Sequence, residues 1–226
     1  MAAGGKAQLV ADWQSASRES AGLAPAPRST PEAVVQVYAA RAYSWRGVFA
    51  VHSWIAVKPE GADSYTTYEV VGWRAFRGGD AVQIHNGEPD RYWFGSKPDL
   101  LADLRGADAA GAIRDIAKAV ATYPWPSTYR TWPGPNSNTF VAYVLRRVPG
   151  LRVDLPPTAI GKDYLGETTF VGRTPSGGGL QLSLWGALGV LVSAEEGLEF
   201  NVLGLSFGID PADLAIRLPG IGVVKP

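Results

Sequence analysis

The sequence predicts an α+β fold: an antiparallel sheet with two or three helices packed on it. Three observations carry this. Short β-branched and aromatic runs follow one another from residue 33, separated by turn-forming Gly, Pro and Asp. Two later segments repeat apolar residues at intervals of three and four, the period of a helix. The 27 glycines and 17 prolines in 226 residues favour many turns over a helical bundle.

In chain order, residues 1–31 are rich in Ala, Ser, Pro and Gly and read as an arm, packed on the surface or partly disordered, with Trp13 available to pin it. Residues 32–226 are expected to form a single α+β domain. Val34–Tyr38, Val48–Val57, Tyr65–Trp73 and Ala81–Ile84 read as strands of a meander, with turns at Pro59-Glu60-Gly61 and Gly78-Gly79-Asp80. Pro98–Ala121 reads as a helix broken near Gly106, with Ile113, Ile116, Ala117 and Val120 on one stripe. Tyr123–Pro135 is an aromatic and proline-rich loop. Thr139–Val148 reads as a second helix with Phe140, Val141, Val144, Leu145 and Val148 on its apolar side. Beyond Pro149 the chain reads as irregular. Within that part, Leu180–Val192 reads as a buried apolar segment and Leu198–Phe207 as one strand.

Composition excludes several classes. Hydrophobic residues at 46% against 19% charged allow a sizeable core. Lys plus Arg equals Asp plus Glu at 21 each, so nothing points to nucleic acid. Cysteine is absent, which removes disulfides, thiolate metal sites and a cysteine nucleophile together. Two histidines and no cysteine leave too few ligands for a usual zinc site, and no EF-hand spacing occurs. No metal and no cofactor is expected. No apolar run is long enough to span a bilayer, and Met1–Lys6 lacks the apolar core of a signal peptide.

The candidate site centres on Gly134-Pro135-Asn136-Ser137-Asn138-Thr139-Phe140, where a loop hands over to the second helix. Asn and Ser there read equally as a helix N-cap. The same position exposes backbone N–H groups and a partial positive charge, which suit an attacking hydroxyl and a developing oxyanion. Ser137 is then the candidate nucleophile, with Asn136 and Asn138 beside the oxyanion. A serine needs a base. His52, in the strand ending at Val57, is the first candidate, and a hairpin turning about Gly61 brings Glu69 within one residue of the register that would orient it. His85 is the competing orienter. Tyr129 lines the cleft or stabilises charge, with Arg130, Trp125 and Trp132 nearby. Gly204-Leu205-Ser206-Phe207-Gly208 has the spacing of a nucleophile elbow, but no histidine follows it, and Pro211 denies it a helix. The Gly177 triplet lacks the lysine of a phosphate loop.

Val51-His52-Ser53-Trp54-Ile55-Ala56-Val57-Lys58, Tyr68–Trp73, Arg91–Gly95, Trp132–Phe140 and Leu155–Tyr164, with the signature GPNSNTF…IGKDY, together resemble a bacterial family of unknown function. The resemblance runs from Asp12 to Gly220. It implies a periplasmic or membrane-associated protein held through an N-terminal hydrophobic segment, and soluble as the sequence stands. More distantly, the chain is similar to the circularly permuted papain-like proteins of the NlpC and lecithin:retinol acyltransferase type, where a histidine strand precedes a nucleophile helix. That likeness implies a permuted papain-like arrangement with His52 as the histidine, Glu69 or His85 as orienter and Ser137 as nucleophile. It also implies a cell-envelope hydrolase or acyltransferase acting on a peptidoglycan peptide or a lipid acyl group. The departure is serine where that architecture has cysteine, and a hydroxyl is much harder to ionise than a thiol. The alternatives are a scaffold without catalysis that serves as a binding or structural module, and a lipid-contacting protein using the glycine-rich apolar region.

Overall fold

The structure, a computed structural model, describes residues 15–226, so Trp13 lies outside the described residues. The described part of the arm is packed on the surface. Ser20 bridges to Arg91, the Ala21 N–H donates to the Asp90 carbonyl at 3.1 Å, and the fully buried Asp90 carboxylate accepts from the Leu23 and Ala24 N–H groups.

The first sheet holds β1 (Val34–Arg41), β2 (Val51–Lys58), β3 (Thr66–Val70), β4 (Val82–Asn86) and β5 (Asp99–Arg105), all antiparallel, in the order β4-β3-β2-β1-β5. The β-branched and alanine side chains of β1 and β2 are buried on both faces, as two central strands require. Val35, Val37, Ile55 and Val57 face α2 (Gly106–Ala121) and α3 (Ser137–Leu145) and pack with Ile116, Phe140 and Leu145. Tyr38, Trp54 and Ala56 face the other way, toward Trp93 and the arm. A short α1 (Gly72–Ala75) follows β3.

The α+β class is as the sequence predicts. Two parts differ. Residues 99–105 are strand, not the start of a helix. Asp99-Leu-Leu-Ala-Asp-Leu-Arg has good helical propensity, but pairing with β1 closes the open side of a fully buried strand, and tertiary context prevails. The region beyond Pro149, expected to be irregular, carries a seven-stranded antiparallel meander. Its strands are β6 (Val171–Arg173), β7 (Leu180–Leu184), β8 (Leu188–Ser193), β9 (Gly197–Val202), β10 (Leu205–Asp210), β11 (Ala215–Leu218) and β12 (Gly222–Val224). Leu180–Val192 is thus a hairpin, not a buried segment, and its Leu180, Leu182, Leu188 and Val192 are exposed. Leu198–Phe207 is two strands turning at Leu203-Gly204.

This second sheet is inverted. Its inner face is polar: Gln181, Ser183, Glu199, Asn201 and Arg217 are buried. They meet the segment 154–163, which runs between the sheets. Lys162, with no exposed surface, donates to Glu199, and Arg217 lies against both Glu199 and Asp154. Asp163 accepts from Gln181 Nε2 and Asn201 Nδ2 at 2.8 Å each. Buried charges of both signs, paired with one another, tie the second sheet to this segment. Among the described residues, no helix is long and apolar enough to cross a membrane.

Candidate active site

A cleft of about 940 Å³ opens at the end of the first sheet, where β2 begins, β3 ends and α3 starts. The helix start is built from asparagines. Asn136 is the N-cap: its Oδ1 accepts from the Asn138 and Thr139 N–H groups at 3.0 and 3.1 Å, while the Thr139 hydroxyl accepts from the Asn136 N–H at 3.2 Å. This reciprocal pair satisfies the donors that a helix start leaves free. The Asn136 amide nitrogen donates to the Thr131 and Ile160 carbonyls at 3.1 Å each. Gly161 makes room for it: its φ is +97°, and a Cβ there would sit 2.3 Å from Asn136 Nδ2.

Asn138 stitches the helix to β2. Its Nδ2 donates to the Val51 and Ile160 carbonyls at 2.9 Å each, and its Oδ1 accepts from the Ser53 hydroxyl at 2.8 Å. Of the backbone N–H groups expected beside an oxyanion, those of Asn136 and Asn138 are thus taken within the cap, by the Thr139 hydroxyl and the Asn136 Oδ1. Ser137 is the first helical residue. Its hydroxyl and its N–H lack a protein hydrogen-bond partner among the described residues, and it lines the cleft.

His52 is buried, with its ring stacked on Trp93 at 3.6 Å between centroids and 8° between planes. Its Nε2 meets Glu69 Oε2 at 3.0 Å. The second Glu69 oxygen takes His85 Nε2 at 2.8 Å and Arg91 Nη2 at 2.6 Å. The β2–β3 register pairs Ile55 with Tyr68, which sets Glu69 across from Trp54, on the same face as His52 and two residues along the strand. Burial pushes the Glu69 carboxyl up, but hydrogen bonds from His52 and His85 and the Arg91 charge outweigh it and hold it well below the usual carboxylate range. Burial lowers His52 below its ordinary value, against the pull of Glu69, and the imidazole is neutral at pH 7. With Nε2 facing the carboxylate, Nδ1 is the ring nitrogen left as acceptor.

His85 binds Glu69 and not His52, so it steadies the carboxylate from the side opposite His52. Tyr129 lines the cleft, its ring resting on Gly72, where a Cβ would come within 2.6 Å. Sequence reasoning did not single out Arg91 and Trp93. Their signal was an arginine among aromatics, Arg91-Tyr92-Trp93-Phe94, close in sequence to a histidine. Strand alternation directs Val51 and Ser53 toward α3 and His52 away from it, so Ser137 and His52 reach the cleft from two sides of the sheet end, and no hydrogen bond joins them. Among the described residues, no group of three or more His, Asp or Glu side chains is placed to hold a metal ion.

No curated protein and no solved structure matches the chain. Residues 32–164 match the profile of DUF3750, described as a protein of unknown function; this span holds the first sheet, α1, α2, α3, His52, Glu69 and Ser137. The chain belongs to the DUF3750 family.

Proposed function

We propose that the cleft is the active site of a cell-envelope hydrolase or acyltransferase acting on amide or ester bonds, laid out as in the permuted papain-like proteins but with a serine nucleophile. Ser137 Oγ attacks the acyl carbon and passes its proton to His52 Nδ1. The carbonyl oxygen, now carrying the charge, is met by the Ser137 N–H at the positive end of α3. The imidazolium then protonates the leaving amine or alcohol as the acyl carbon–heteroatom bond breaks, leaving an ester on Ser137. Water, or an acceptor alcohol or amine, attacks the ester and gives up its proton to Nδ1; the bond from the acyl carbon to Ser137 Oγ then breaks, the imidazolium returns its proton to Oγ, and the acyl group leaves on the acceptor. Glu69 stays ionised throughout and holds the ring. A peptidoglycan peptide and a lipid acyl group both fit this chemistry.

The observation that carries this reading is the neutral His52 in an open cleft. Its Nε2 is fastened to a buried carboxylate and its Nδ1 is free, with an unbonded serine hydroxyl lining the same space. Catalytic pairs without substrate are often long and tighten on binding. A second reading has its own support: the cap engages the Asn138 and Thr139 N–H groups, and Ser137 has no bond to His52. On that reading the cleft binds a ligand without cleaving it. Labelling with a serine-reactive fluorophosphonate decides between them. Catalysis requires that the wild type is labelled and that Ser137→Ala and His52→Ala are not. An unlabelled wild type, or label persisting in Ser137→Ala, favours the binding module.

A further inference from the structure

Two short turns flank the mouth of the cleft and share a composition. Trp45-Arg46-Gly47-Val48-Phe49 lies before β2 and Trp73-Arg74-Ala75-Phe76-Arg77 follows β3. Neither contains an acidic residue. Their large side chains face solvent, with Trp45 62% and Phe76 73% exposed. Arg46 lies over the Trp45 ring at 5.3 Å, and among the described residues none of Arg46, Arg74 and Arg77 has a carboxylate within ion-pair range.

The second sheet extends this surface. Its turns β7–β8, β9–β10 and β11–β12 emerge at one end and carry Trp185, Leu203 and Ile221, all exposed. Trp132, on the cleft wall, donates from Nε1 to the Leu203 carbonyl at 2.9 Å, and a Cβ on Gly220 would lie 3.2 Å from the Val48 carbonyl oxygen and 3.5 Å from the Phe49 ring. The apolar turn tips thus adjoin the aromatic rim. From the same turns runs an outward sheet face whose cross-strand row, Leu182, Val190, Phe200, Phe207, is wholly apolar.

We propose that the cleft mouth and the adjoining turn tips dock on an anionic lipid surface. Exposed Trp and Phe side chains suit the boundary between headgroups and acyl chains, and unpaired arginines beside them suit phosphate headgroups. Charge selects this occupant over a second copy of the chain, whose matching patch would bring three more arginines against these three. The docking turns the cleft toward the bilayer and does not depend on the chemistry of Ser137.

Cosedimentation of the full chain with vesicles tests this. Phosphatidylcholine vesicles containing phosphatidylglycerol should carry the protein down at low salt, raised salt should release it, and tryptophan emission should shift to the blue. Replacing all three arginines, R46Q/R74Q/R77Q, should weaken partitioning roughly 100-fold at low salt. W45S/F76S removes two of the most exposed rings of the rim and should weaken partitioning and reduce the emission shift, with Trp73, Trp132 and Trp185 supplying what remains, while Ser137→Ala should bind as the wild type does. Three results overturn the proposal: no sedimentation with the anionic vesicles, undiminished binding by the triple arginine variant, or a dimer in sedimentation velocity that leaves vesicles unbound.

Discussion

Replacing Glu69 with Gln removes the charge from the centre of the site and keeps its size. The carboxylate is 4% exposed and takes three donors: His52 Nε2, His85 Nε2 and Arg91 Nη2. A glutamine offers one acceptor oxygen and turns two N–H donors toward groups that are themselves donors. Arg91 Nη1 is already buried without a partner, so the variant leaves a guanidinium with no counter-charge in reach. Removing one partner of such a buried pair costs roughly 3–5 kcal/mol. At about 2–4 °C per kcal/mol for a chain of this length, the midpoint should fall by about 6–20 °C in a thermal melt at pH 7. The folded carboxyl lies below its unfolded value of about 4.3, so its contribution is complete above that pH and is lost only as the pH falls through the folded value. The wild-type advantage should therefore persist from pH 7 to about pH 5. A difference under about 2 °C at pH 7, or one that vanishes between pH 7 and 5, would refute the reasoning.

His52 titrates below its unfolded value of about 6.5, so the unfolded chain takes up its proton first and stability should fall as pH drops below about 6.5; His52→Gln should flatten that limb of a urea-denaturation series. Gly161→Ala forces an alanine into the left-handed region and into Asn136; it should cost at least about 1–2 kcal/mol in chemical denaturation and raise amide exchange at the start of α3. Lys162→Met leaves Glu199 beside Arg217 alone and exposes no new surface; a loss of roughly 3–5 kcal/mol is expected by the same measurement, and an unchanged midpoint would show the ionic cluster to be dispensable.

The central strands were legible because β1 and β2 are β-branched and bounded by turn residues, and Pro59-Glu60-Gly61 set the hairpin to within one residue of its register. That is why Glu69 could be named beside His52 from sequence. The capping signal at Asn136–Thr139 was equally readable, though not that Asn136 and Asn138 would both reach the Ile160 carbonyl, 24 and 22 residues away. The strand at Asp99–Arg105 was not readable, since its local propensity is helical and only the open side of β1 makes it a strand. The second sheet was hidden by its inversion. Leu-Gln-Leu-Ser-Leu alternates as a strand should, but glutamine and serine are the buried members, so the leucines read as core. What buries them is Asp163, and no local pattern announces a partner that distant.

The family profile stops at Tyr164, two residues beyond Lys162, whereas the carboxylate that takes the Lys162 hydrogen bond belongs to Glu199 and is held in turn by Arg217. The same segment lends its Thr158 and Ile160 carbonyls to β2 and to the cap of α3. A chain cut after Tyr164 would keep the cleft residues of the first sheet and helices, yet would leave the Lys162 ammonium with only the Asp163 carboxylate, 3.8 Å away, and without the polar face of the second sheet that encloses it. Such a fragment should lose the floor of the cleft along with the charge, and the intact chain should melt as one cooperative unit, in a single transition by both fluorescence and circular dichroism.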